Sequence, residues 1–86
     1  MTDKVREVLL TAVCAGRHGD TPSPSLAQAI AEGRRDLTTD RLDFDSLAWM
    51  EFCISVELQT GQELTPAHID RMRHFFEIEE WLRARL

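Results

Sequence analysis

The stretch Asp45-Ser46-Leu47-Ala48-Trp49-Met50-Glu51-Phe52-Cys53-Ile54-Ser55-Val56-Glu57-Leu58-Gln59-Thr60-Gly61 decides the fold. Its apolar residues recur at helical spacing. Asp45 is a ready N-cap and Gly61 a stop, so the pattern predicts a helix from Ser46 to about Thr60. Trp49, Phe52, Cys53 and Val56 form one stripe along it. Leu47, Met50, Ile54 and Leu58 form another. One stripe is enough to seal a small bundle. A helix apolar on both sides is either central or has a partner for its second face.

Outward from this helix the chain stays helical. Val5, Val8, Leu9, Ala12 and Val13 predict an amphipathic helix from Asp3 to about Ala15, capped by Thr2 or Asp3 and stopped at Gly16. Gly16 to about Thr39 reads as a loose stretch, because Pro22 and Pro24 forbid a regular element there. Within it, Ser25 to Gly33 predicts a short helix with Ser25 as N-cap, Gln28 completing a capping box, and Leu26, Ala29 and Ile30 as the buried edge. On the C-terminal side, Thr65 and Pro66 mark a helix start. A short turn from Ala67 to Arg71 would use Ile69 inward. Met72, Phe75, Phe76, Ile78, Trp81 and Leu82 then carry a final helix. No run alternates as a strand would. The expected class is all-α: one domain over residues 1–86, a small helical bundle with a long first connection.

Composition narrows the function classes. The chain has 86 residues, 43% hydrophobic and 29% charged, as a small globular domain requires. A net charge of −5 argues against nucleic acid as a partner and favours partners with basic patches. No apolar run is long enough for a membrane span, and Met1-Thr2-Asp3-Lys4 does not open a secretory signal, so a cytoplasmic monomer is expected. Cys14 and Cys53 sit inside apolar helical patterns and read as small buried hydrophobes. Asp40, Asp43 and Asp45 lack the ligand spacing of a calcium loop, and His18, His68 and His74 do not form a set.

The chemistry-bearing run is Leu42-Asp43-Phe44-Asp45-Ser46-Leu47. It places a serine at a helix start, behind an aspartate and after a long loop. Free N–H donors and the positive end of the helix dipole favour a phosphodiester there. The hydroxyl should be exposed to an incoming enzyme. A hydrolytic role for Ser46 lacks both a nucleophile elbow and a scaffold of sufficient size.

Asp45-Ser46-Leu47, with Leu42 three residues before Asp45, resembles the Asp-Ser-Leu signature of acyl carrier proteins. Glu51 and the Val56-Glu57 step match positions of that family's same helix, and Gly61 to Pro66 resembles its loop into a short third helix. The resemblance is strongest from Leu37 to Pro66. It implies a four-helix bundle with a short third helix. It implies that Ser46, behind Asp45, carries a 4'-phosphopantetheine arm transferred from coenzyme A by a phosphopantetheinyl transferase. The arm's thiol would hold an acyl or aminoacyl group as a thioester, received from a loading ligase and passed to downstream transferases, with no catalysis by the carrier itself. Leu47, Met50, Glu51, Ile54 and Glu57 would face those partners. The chain departs from the family at Asp43 and Phe44, in its longer first loop, in its few acids on this helix and in the bulk of Trp49. These departures suit a specialised carrier better than bulk fatty-acid synthesis.

Two other readings stand beside this one. Asp-Ser is simply a good helix start, which explains Ser46 without any modification. The Leu47-Met50-Ile54-Leu58 stripe is then either plain core or the binding face of an unmodified helical adaptor.

Overall fold

The computed structural model describes residues 3–86. Five α-helices follow one another: α1 (Lys4–Gly16), α2 (Pro24–Glu32), α3 (Ser46–Thr60), α4 (Pro66–Asp70) and α5 (Phe75–Arg83). A 3-10 turn at Thr39–Leu42 precedes α3. The described residues contain no strand, so the class is all-α.

Capping explains most of the boundaries. Thr2 lies outside the described residues; Asp3 caps α1, accepting from the amides of Val5 at 3.1 Å and Arg6 at 3.4 Å. Asp45 caps α3, accepting from the Ala48 amide at 2.8 Å. Gly61 ends α3 in the left-handed region at φ 75°, a conformation glycine adopts without penalty. Thr65 caps α4 in a reciprocal box with His68, whose Nδ1 accepts from the Thr65 amide at 3.2 Å.

Two expectations are corrected. The second helix starts at Pro24, not after Ser25, and Ser23 is its cap, accepting from the Leu26 amide at 3.3 Å. Proline at the first helical position has its φ preset and gives up an amide that would be unpaired anyway, so Pro24 begins a helix instead of blocking one. Gln28 makes no capping box; it donates to Glu32 at 2.9 Å, one turn on. The last helix begins at Phe75, not Met72. The residues before it run extended beside the segment ahead of the 3-10 turn, with Thr39 N donating to Arg73 O at 2.9 Å and Phe75 N to Leu37 O at 2.8 Å. Those two bonds hold residues 72–74 out of the helix.

The core lies between α1, α3 and α5. Leu9, Val13, Phe52, Val56, Ile78 and Leu82 are essentially fully buried in it. Helix α1 rests on α3, α2 and α5, and α4 leans on α3. Gly16 sets the closest approach of α1 to the start of α3: a Cβ there would stand 2.6 Å from the Phe44 ring and 3.0 Å from the Ala48 carbonyl. That approach fixes where α3, and with it Ser46, begins.

Candidate functional site

Ser46 is the first residue of α3, and its side chain is exposed. Its position follows from three local features. Asp43 adopts the left-handed region at φ 55° and turns the chain out of the 3-10 helix. Phe44 then packs inward against Trp49, ring centroids 5.0 Å apart and nearly perpendicular. Asp45 captures the Ala48 amide. The amides of Ser46 and Leu47, in the first helical turn, have no intrahelical acceptor, so they and the helix dipole meet whatever is attached at Ser46.

The two apolar stripes of α3 divide as their spacing dictates. Phe52, Cys53 and Val56 are buried, with Trp49 half-buried beside them. On the opposite face Leu47 is 54% exposed, Met50 50%, Ile54 52% and Leu58 82%. Helical geometry, at about 100° per residue, puts Glu57 on the Met50 side of this exposed stripe and Glu51 on the other side. Glu57 is exposed. Glu51 is half-buried and turns toward the end of α1, where its Oε2 lies 3.6 Å from His18 Nδ1. The plain-core alternative for the Leu47-Met50-Ile54-Leu58 stripe is therefore excluded: α1, α4 and α5 leave that face uncovered.

A groove runs from Ser46 along α3 toward the loop before α4. Its upper part, of about 470 Å³, is open to solvent and lined by Phe44, Asp45, Trp49, Met50, Pro66, Ile69 and Asp70 beside Ser46. Its lower part, of about 150 Å³, is open to solvent and lined by Cys53, Ile54, Glu57, Glu63, Leu64 and Thr65. The two parts share Met50 and Pro66. Burial pushes the Cys53 thiol up to about 11, so at neutral pH it is an apolar lining group and not a nucleophile. The groove was not foreseen from the sequence. Its signal was the pair Pro66 and Ile69, which turn the short α4 back over the start of α3.

A second cleft opens on the other side of Asp45, between Arg17, His18, Asp20 and Asp43. Arg17 Nε is buried there without a hydrogen-bond partner. Three carboxylates share that cleft with one arginine, so it does not favour an anion.

No protein family, curated protein or solved structure matches the chain. Among the described residues no helix is long and apolar enough to cross a membrane.

Proposed function

We propose that the protein is a carrier that holds acyl or aminoacyl groups as thioesters on a 4'-phosphopantetheine arm attached to Ser46. The observation that carries this reading is an exposed serine at the first position of the longest helix, behind a capping aspartate, with an uncovered apolar face running away from it. The residues fit such an arm. The Ser46 hydroxyl is accessible to a transferase, the first-turn amides suit a phosphodiester, and the groove along α3 is open from Ser46 onward.

In this reading α1, α3, the short α4 and α5 are the four helices of an acyl-carrier-like bundle, and α2 decorates the long first connection. A phosphopantetheinyl transferase joins the Ser46 oxygen to the phosphate of coenzyme A. Adenosine 3',5'-bisphosphate leaves and the hydroxyl proton is lost. When bound, the arm supplies the thiol that forms the thioester. The chain's own residues hold the serine at the helix start and present Leu47, Met50, Glu51, Ile54 and Glu57 to the transferase, the loading ligase and the downstream enzymes. The net charge of −5 favours partners with basic surfaces and makes the encounters salt-sensitive. The carrier is then a cytoplasmic monomer without a catalytic centre of its own.

Intact mass after incubation with coenzyme A and a broad-specificity transferase tests this. The expected result is a gain of one phosphopantetheine that disappears in Ser46→Ala. No gain, or a gain that survives Ser46→Ala, overturns it.

The exposed stripe also favours a second reading, an unmodified adaptor binding a partner helix through Leu47, Met50, Ile54 and Leu58. There Ser46→Ala leaves partner binding intact while Met50→Asp and Ile54→Asp abolish it.

A further inference from the structure

Helix α4 begins with a capping box of uncommon chemistry. In the common form a glutamate or glutamine three residues after the cap accepts from the cap's own amide. Here His68 holds that position. Its Nδ1 accepts from the Thr65 amide at 3.2 Å and lies 3.0 Å from Thr65 Oγ, which itself accepts from the His68 amide at 3.4 Å. A backbone N–H can only donate, so Nδ1 must keep a free lone pair. The ring in this arrangement is neutral, with its proton on Nε2.

Protonation removes that acceptor. An imidazolium carries N–H groups on both nitrogens. Its Nδ1–H can still donate to Thr65 Oγ, but the Thr65 amide then loses its partner and faces another N–H. The new charge also stands in the first turn of α4, at the positive end of the helix. On the α5 side the His68 ring lies 5.5 Å from the Trp81 ring, which already carries the Arg85 guanidinium 4.0 Å from its centroid. The other charged groups nearby are Glu63 in the loop before α4, Glu57 on α3 along the same groove as Thr65, and Asp70 and Arg71 at the end of α4. None of these carboxylates pairs with the ring; among the described residues the histidines that pair with a carboxylate are His18 and His74. A helix of five residues has little stability of its own, so its first turn depends on the box.

The box holds one wall of the groove beside Ser46. Pro66, Ile69 and Asp70 of α4 line its upper part together with Trp49 and Met50 of α3. We propose that His68 is a proton-operated clasp. Neutral, it holds the first turn of α4 beside α3. Protonated, it releases that turn and loosens the groove wall in mildly acidic solution, the range in which histidine changes charge. The clasp operates whether or not Ser46 carries an arm.

The test compares the full-length 15N-labelled protein with H68Q. Glutamine restores the common box, keeps an acceptor for the Thr65 amide and does not titrate. At about pH 8 the His68 ring signals should show a proton on Nε2 and none on Nδ1. Between roughly pH 8 and pH 5, hydrogen-exchange protection of the Thr65 amide, and of the Ile69 amide that donates to Thr65 O, should fall about fivefold, as for one lost hydrogen bond. The fall should share its midpoint with the ring titration, and the Met50 amide signal should move with it. H68Q should keep its protection within about twofold over the same range. His18 and His74 remain in both proteins, so an equal loss in H68Q overturns the proposal. A ring protonated on Nδ1 at about pH 8, or unchanged protection in the unaltered protein, also overturns it. If H68Q fails to form α4, the unaltered protein decides alone: protection lost with a midpoint away from that of the His68 ring overturns the clasp.

Discussion

Arg6 Nε on α1 donates to Glu79 Oε1 on α5 at 2.9 Å, across 73 residues of chain. Glu79 is the buried charge of the core, 7% exposed, and it also accepts from Arg83 one turn along its own helix. Arg83 in turn pairs with Asp3, the cap of α1. The two ends of the described chain are thus tied by one carboxylate between two guanidinium groups.

Removing that carboxylate takes the buried partner from both arginines and leaves them Asp3 and, for Arg6, the Ala31 carbonyl. Glu79→Ala should cost about 2 kcal/mol, toward the lower end for a buried charge pair because Arg6 and Arg83 keep partial contact with water. Glu79→Gln keeps an acceptor and should cost about half as much. Urea denaturation checks this. The midpoint should fall while the slope stays constant, since the folded state buries the same surface.

Acid should loosen both that junction and the start of α5. Hydrogen bonding from Arg83 holds the Asp3 carboxyl below its ordinary 3.8. The amides of His74 and Arg73, both 2.8 Å from Glu77 Oε2, hold Glu77 below its ordinary 4.5. A carboxyl whose folded value is depressed stabilises the fold above its unfolded value. That contribution is lost as pH falls through the folded value. Stability should therefore decline from roughly pH 5 downward. Asp3→Asn with Glu77→Gln keeps the oxygens that accept and removes both titrations. Thermal unfolding followed across this pH range should give a flatter acid limb for the double variant, and an unchanged limb would contradict the assignment.

Gly16 tests the approach that positions Ser46. Ordinarily Gly→Ala within a helix stabilises by about 1 kcal/mol. Here the added methyl would meet the Phe44 ring at 2.6 Å and the Ala48 carbonyl at 3.0 Å. Overpacking of this kind costs about 1–3 kcal/mol, so the contact outweighs the propensity. Gly16→Ala should lower the urea midpoint and shift the amide signals of Phe44 to Ala48. A stabilised variant would mean that Phe44 moves aside freely.

The helices were legible where local signals agreed. Asp45 with Gly61 brackets α3, and Thr65 with Pro66 starts α4, by capping chemistry that needs no tertiary partner. The failures were tertiary or ambiguous. Residues 72–74 carry a helical pattern, yet two long-range backbone bonds to Leu37 and Thr39 pull them straight. Ser23 and Ser25 both flank Pro24, and spacing alone does not choose between them; the proline's preset φ does. At the candidate site, periodicity separated the two faces of α3 but could not say which would be covered. That depends on where α1, α4 and α5 lie, and so does the groove, which needs Ile69 and Pro66 brought beside Trp49 and Met50 from another helix.

Asp45 has two separable roles. As a cap it satisfies the Ala48 amide, and Asp45→Ala should cost about 1 kcal/mol, read as a lower urea midpoint. Asp45→Asn keeps an oxygen of similar reach and should cost only a few tenths of a kcal/mol. If the carboxylate matters only as a cap, the loading rate of Ser46 should follow stability, near normal in Asp45→Asn and reduced in Asp45→Ala. If its charge is itself needed at the serine, both variants should lose loading alike although only one loses stability. Under the carrier reading the second outcome is expected, because the charge stands directly before the hydroxyl that must give up its proton. Paired measurements of the denaturation midpoint and of the rate of phosphopantetheine mass gain on the two variants separate the cases.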